Sequence, residues 1–97
     1  MENKKYKILK ILHNGRKGIR GNPVTDIKYD GLINADVYIE NLDNIVKFQC
    51  LHINIIGHST YNWWDTTEVI TMSYNPINRK YYVETINTIY ILQELDY

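Results

Sequence analysis

The chain has 97 residues, enough for one domain built around one hydrophobic core, and we expect residues 1–97 to form that single domain. Hydrophobic residues make up 44% and aromatic residues 12%, which excludes a disordered chain. The sequence contains no membrane-length apolar run and no signal-peptide core, so a cytoplasmic protein with no membrane partner is expected. The single cysteine, Cys50, excludes an intramolecular disulfide framework and is expected to be a buried thiol.

The composition favours β-structure. Ile, Val, Thr, Tyr, Phe and Trp supply 39 of the 97 residues, whereas Ala occurs once, at Ala35. Branched and aromatic side chains suit a pleated, half-buried surface, and no long window shows an apolar stripe at helical spacing. An all-β fold is therefore predicted, with an α+β fold containing one short helix as the alternative.

The first third of the chain predicts one strand and a long loop. Lys5–Leu12 has apolar residues on both faces, which is typical of a bent strand in a small barrel. Asn14–Gly15 then predicts a turn. Residues 16–30 contain glycines, a proline and little periodicity, so they predict a loop with at most a short strand at Val24–Tyr29.

The rest of the chain alternates strand and turn patterns. The remaining predicted strands are Leu32–Ile39, Ile45–Ile56 (partly buried on both sides, or bent), Thr67–Tyr74, Lys80–Thr85 and Thr88–Leu95. An aromatic loop over Gly57–Asp65 separates the second of these from the third. Five to six short strands joined by Asn, Gly and Pro turns resemble a small SH3-like barrel.

Part of the C-terminal third resembles a known group of sequences. The segments Trp-Asp-Thr-Thr-Glu-Val (Trp64–Val69) and Glu-Thr-Ile-Asn-Thr-Ile-Tyr-Ile-Leu (Glu84–Leu92) are similar to the ending of small uncharacterised proteins from phages and mobile elements of low-GC bacteria. The resemblance implies an SH3-like barrel and a phage-type genomic setting. It carries no catalytic residue over to this chain.

The charge is balanced in total but segregated along the chain. Residues 1–28 carry a net charge of +6 and residues 29–97 a net charge of −6. The lysines of the first predicted strand are expected to keep a sheet edge from pairing with another chain. Arg16, Lys17 and Arg20 lie in a glycine-containing loop, where guanidinium groups and backbone N–H groups suit a phosphate or carboxylate. The loop does not match the P-loop pattern.

The aromatic loop is the second candidate binding surface, through Tyr61, Trp63, Trp64 and the neighbouring His58. Two adjacent tryptophans on extended backbone point to opposite faces, so at least one is expected to be partly exposed. Exposed Trp and Tyr side chains are enriched in binding hot spots and stack on rings. The competing interpretation is that one tryptophan closes the barrel end and the other covers its mouth.

Catalytic and metal sites are not supported by the spacing. Cys50, His52 and His58 form no paired metal-ligand motif, so no metal is predicted. Ser59 lacks a nucleophile elbow, and a triad with a histidine and Asp65 would need geometry that sequence does not show. We therefore expect a protein that is not an enzyme and uses no cofactor.

Three binding functions remain. The first is a phage-type stoichiometric inhibitor of a host protein, with an anti-defence role in the host cytosol. The second is a sponge for a nucleotide signal or other small anionic ligand, with a pocket between the subunits of a homo-oligomer. The third is a nucleic-acid-binding barrel, which the sequence pI of 6.8 disfavours because such domains are usually basic.

Overall fold

The chain forms six β-strands. The structure, a computed structural model, describes residues 5–26, 29, 31–39, 42, 47–56 and 63–95. The strands in chain order are β1 (Lys5–His13), β2 (Asp36–Ile39), β3 (Cys50–Ile55), β4 (Trp63–Asn75), β5 (Lys80–Thr85) and β6 (Thr88–Glu94). These residues include no α-helix, and hence none long and apolar enough to cross a membrane. The all-β prediction is confirmed, and the alternative with one helix has no counterpart in the described residues.

The strands close into a barrel. Each strand lies antiparallel to the next one in the chain, and β1 pairs with β6 to complete the ring. All six strands therefore have two partners, although β4 pairs with β3 only near its start and its residues 71–75 pair with β5 alone. Ring closure removes the unpaired row of backbone groups through which sheets usually join to other chains.

A β-bulge bends β1. Ile8 pairs with Leu92 and Lys10 pairs with Ile91, so Leu9 is an extra residue opposite β6. The bulge shifts the alternation of side chains, and Ile8 and Ile11 both point into the core at 0% and 3% exposure. Bulges bend a strand and increase its twist, which helps a sheet to close. The imperfect alternation of this segment predicted such a bend.

The long strand β4 is also irregular. Its register shifts against β3 between the pairs Cys50–Glu68 and His52–Asp65, and against β5 between Val69 and Thr71. Because of these shifts, Thr66 and Val69 are both buried although they are three residues apart. The Thr66 hydroxyl accepts a hydrogen bond from the backbone N–H of Leu51 at 2.9 Å, so its burial costs no unpaired polar atom.

The hydrophobic core fills the barrel interior. One inward row, Tyr6, Val37 and Ile55, runs across β1, β2 and β3 in register. Tyr6 meets Tyr81 of β5 edge to face, with ring centroids 5.6 Å apart and planes at 84°. Burial of each large side chain of this kind contributes about 1.5–3 kcal/mol, so the core supplies most of the favourable free energy of folding.

Several predicted boundaries differ from the structure. The strand predicted at Leu32–Ile39 begins only at Asp36, because residues 31–34 form a turn that ends with Asn34 at φ 63°. The strand predicted from Ile45 is described from Cys50, because Phe48 lies in a turn with φ 73°. A positive φ is incompatible with extended strand geometry, and apolar composition alone does not reveal it.

One of the two loop predictions also needs correction. The aromatic loop predicted over Gly57–Asp65 is wrong for Trp63, Trp64 and Asp65, which form the start of β4. The prediction of a loop with at most a short strand at Val24–Tyr29 agrees with the structure, because residues 24–26 and 29, the described part of that segment, are not in a strand. An isolated bridge between Leu12 and Pro23 extends the end of β1 instead.

Candidate functional site

The two adjacent tryptophans face opposite sides of the barrel wall. Trp63 lies directly opposite Asn54 on β3 and is 58% exposed on the outer face. Trp64 is opposite Ile53, which is fully buried, and packs against the core. The extended backbone of β4 enforces this division, because side chains alternate between the faces of a strand.

Trp63 belongs to an aromatic and polar patch on the outside of β3 and β4. Its indole stacks on the imidazole of His52, with centroids 6.0 Å apart and planes at 20°. Nδ1 of His52 lies 2.5 Å from Oδ1 of Asp65, and since a carboxylate only accepts, Nδ1 carries the proton. The His52 ring thus has the Trp63 indole on its face and the Asp65 carboxylate at its edge.

The patch extends across the sheet toward β2. Cross-strand pairing aligns Tyr38, Asn54 and Trp63, whose side chains therefore share the outer face. We call the residues Tyr38, His52, Asn54, Trp63 and Asp65 the Trp63 face. Its composition, two large amphipathic rings among hydrogen-bonding groups, is that of a recognition surface.

Trp64 connects the inner side of β4 to two other elements. Its Nε1–H donates to the hydroxyl of Tyr90 on β6 at 3.3 Å, and its ring packs on Tyr29 with centroids 5.0 Å apart. Burial raises the pKa of Tyr90 to about 12, because the charged phenolate would be desolvated inside the barrel. Tyr90 therefore remains a neutral structural group at physiological pH.

The loop between β1 and Pro23 is held against the barrel. The backbone N–H of Gly21 donates to the carbonyl of His13, and the N–H of His13 donates to the carbonyl of Asn22, at 2.9 Å and 2.8 Å. Nδ2 of Asn14 donates to the carbonyl of Thr85 at 2.6 Å. Arg20 reaches β5, where its Nη1 lies 2.6 Å from Oε1 of Glu84. The loop is thus attached to β1 and β5.

A cleft of about 430 Å³ opens beside this loop. It lies between the end of β1, the loop, the segment after Pro23 and the start of β6. We call it the His13 cleft, and its lining residues are His13, Lys17, Val24, Thr25, Asp26, Tyr29, Asn87 and Thr88. Clefts of about 300–1,000 Å³ are typical of small-molecule sites, so this one is large enough to hold a ligand.

The side chains of the three basic loop residues lie in different surroundings. Lys17 lines the His13 cleft, whereas the guanidinium of Arg20 is bound to Glu84. Arg16 is exposed and lies outside the cleft lining. The structure therefore does not bring the three predicted anion ligands together at the His13 cleft, which only Lys17 lines, and the anion site remains a prediction.

The predicted aromatic surface is likewise divided. Trp63 is exposed on one surface, while Trp64 is turned inward and reaches the His13 cleft only through Tyr29. His58 and Tyr61 lie outside the described residues. The basic loop and the exposed tryptophan therefore belong to two separate surfaces.

Cys50 corrects one sequence prediction. Its thiol was expected to be buried, but the residue is exposed on the outer face of β3. Leu51, its neighbour, takes the inward position instead and is fully buried. Among the residues described, no three His, Cys, Asp or Glu side chains converge as a metal site would require.

Sequence reasoning missed His13 and Tyr29 as site residues. His13 immediately precedes the Asn14–Gly15 turn, and polar residues at the end of a strand next to a turn are often placed at a barrel rim. Tyr29 carried no comparable signal, because its contact with Trp64 joins segments far apart in sequence.

No protein-family model, curated protein or solved structure matches the chain.

Proposed function

We propose that this protein is a non-catalytic binding domain that associates stoichiometrically with a host protein and inhibits it in the host cytosol. The observation that carries the proposal is the Trp63 face, where an indole with 58% exposure is held in one orientation by His52. A preorganised aromatic side chain loses little conformational entropy on binding, which is why such residues dominate interface energetics.

The closed sheet favours recognition through side chains. β2 and β3 are each paired on both sides, and β4 is paired with β3 at Trp63, so at the Trp63 face a partner has no open edge on which to add a strand. The outer face of a closed barrel is also open to water. That position supports binding rather than catalysis by the His52–Asp65 pair, since catalytic sites usually exclude water.

The charges around Trp63 favour a protein partner over nucleic acid. Asp65 lies on the Trp63 face, and Glu68 is exposed opposite Cys50 on the same two strands. Carboxylates repel the phosphates that supply most of the affinity for nucleic acid. The phage-type resemblance of the C-terminal third supports a host protein as the partner and an anti-defence role.

Affinity capture from the lysate of a low-GC bacterium, followed by reconstitution of the purified pair, tests the proposal. We expect a complex of equal stoichiometry whose affinity falls about 30-fold or more in Trp63→Ser, as for a hot-spot residue. Ile77→Ser is the matched control, because Ile77 is 92% exposed at the β4–β5 turn. Its substitution should leave the affinity unchanged.

Two results would reject this function. One is the absence of any partner that binds the purified protein. The other is a reconstituted complex in which Trp63→Ser and Ile77→Ser bind equally well, because the Trp63 face would then contribute nothing to recognition.

A further inference from the structure

We propose that the His13 cleft binds a small ligand that combines a planar ring with an anionic group, as a nucleoside monophosphate does. This site goes beyond the proposed protein-binding function, because it is separate from the Trp63 face. The row of Tyr38, Asn54 and Trp63 reaches β1 at Lys5, whereas the cleft begins at His13 on the opposite end of that strand.

The cationic group of the cleft is the ammonium of Lys17, and the imidazole of His13 lies beside the loop that carries it. Gly18 lies so close to His13 that a Cβ added there would be 2.6 Å from the Cγ and Cδ2 atoms of the imidazole. The ring thus packs directly against the backbone of the loop that carries Lys17. Since backbone hydrogen bonds also hold this loop to His13, the ammonium group projects from an anchored segment, and an anion has to order only the side chain of Lys17.

The apolar side of the cleft is formed by Tyr29 and Val24. The ring of Tyr29 meets that of Trp64 at a tilt of 58°, and Trp64 is in turn hydrogen-bonded to Tyr90. An aromatic side chain in the lining offers a flat surface on which a heterocycle can stack. Proteins that bind single-stranded nucleic acids use aromatic side chains to stack on bases in the same way.

Polar groups complete the lining and narrow the class of ligand. Asp26 supplies a carboxylate, which accepts hydrogen bonds from hydroxyl or amino groups. Thr25 and Asn87 supply further hydrogen-bonding groups at the cleft. A ligand with an anionic group, a flat ring and hydroxyl donors therefore matches Lys17, Tyr29 and Asp26 respectively. The cleft belongs to one chain, so this site does not require the second subunit that the sequence argument invoked for a pocket.

Titration of the isotope-labelled protein with AMP, adenosine and inorganic phosphate tests the site. We expect AMP to bind about tenfold more tightly than adenosine or phosphate, because only AMP engages both sides of the cleft. The amide resonances of His13, Lys17 and Tyr29 should shift on saturation, and those of Trp63 and His52 should not. GMP, CMP and UMP serve as further probes of the ring.

Variants separate the two halves of the site. Lys17→Gln should reduce the affinity for AMP about tenfold while leaving that for adenosine unchanged, and Arg16→Gln is the matched control from the same exposed loop. Tyr29→Leu should weaken AMP and adenosine alike but not phosphate. Trp63→Ser should leave AMP binding intact, so failure of this proposal is distinguishable from failure of the protein-binding function.

Three results would overturn the proposal. They are AMP binding no tighter than phosphate, equal affinity for AMP in the Lys17→Gln and Arg16→Gln variants, and no saturable binding of any of the four monophosphates. Circular dichroism verifies that the Lys17→Gln variant is folded, which is expected because Lys17 is exposed.

Discussion

The two sides of the barrel differ in how extensively their strands pair. β1 and β6 pair at seven positions and β4 and β5 at six, whereas β2 pairs with each neighbour at only three. The His13 cleft is built where β1 and β6 meet, and the Trp63 face lies on β2, β3 and the start of β4. The closed ring thus places the His13 cleft beside its most extensive ladder and the proposed recognition surface on a less extensively paired side.

Removal of matched core leucines would test this difference most strongly. Leu92 on β6 and Leu51 on β3 are both fully buried. We expect Leu92→Ala to cost about 4 kcal/mol and Leu51→Ala about 3 kcal/mol, because a loosely paired region relaxes more easily around a cavity. Urea denaturation measures both values, and a larger cost for Leu51→Ala would contradict the comparison.

Tyr90 joins the two sides, since its hydroxyl on β6 accepts a hydrogen bond from Trp64 at the start of β4. Its pKa is about 12 in the folded protein against 10.0 for an unperturbed tyrosine. Because the folded pKa is raised, the stabilisation is complete below about pH 10 and is lost as the pH rises toward about 12. The loss should reach about 3 kcal/mol.

Denaturation of the wild type and Tyr90→Phe between these pH values measures the contribution of Tyr90. Phe cannot ionise, so the variant should show a shallower alkaline decline, although it is less stable at neutral pH because Trp64 loses its acceptor. Tyr82→Phe, at a partly exposed position on β5, is the control. Parallel alkaline declines in the wild type and Tyr90→Phe would contradict the assignment.

Two glycines of the loop separate a steric effect from a backbone effect. Gly18→Ala places a methyl group against the His13 imidazole, and Gly21→Ala places one in open space but at φ 90°. Both substitutions should cost about 1–2 kcal/mol, the first by displacement of the ring and the second by left-handed strain. Histidine side-chain NMR should show the His13 resonances moving far more in Gly18→Ala than in Gly21→Ala.

The smallest effect on stability is expected at the Trp63 face. His52 and Asp65 are each about half exposed, at 48% and 52% of their side chains. A contact between half-exposed polar side chains contributes about 0–1 kcal/mol, so Asp65→Ala should scarcely alter the unfolding midpoint. It should nevertheless alter Trp63 fluorescence, measured in a Trp64→Phe background, because the stacked imidazole loses its anchor. Unchanged fluorescence would show that Asp65 does not position His52.

Local pattern was sufficient to predict the class of fold and the last two strands. Lys80–Thr85 coincides with β5, and the prediction of Thr88–Leu95 exceeds β6 by one residue, because alternating apolar residues and an Asn-rich turn are local signals. β4 was predicted too short at its start, since its bulges break the alternation that marks a strand. The local pattern thus revealed the bend of β1 but not the two register shifts of β4.

The candidate sites were less predictable than the fold. The exposed tryptophan followed from alternation, but which of the two would face outward depended on the register with β3. The basic loop indicated three possible anion ligands, and only the tertiary contact with Glu84 distinguishes Arg20 from Lys17. The His13 cleft was not predictable, because its walls come from four separate segments of the chain.

The closing seam of the barrel also bears on how quickly the protein folds. Tyr6 pairs with Glu94 and His13 with Thr88, so the most extensive ladder joins the two most distant strands in the chain. The chain must lose the entropy of closing this long loop before the pairing can stabilise it. We therefore expect refolding on the millisecond-to-second scale of β-rich domains. The native state then persists as a cooperative unit, because opening the seam unpairs the first and last strands together.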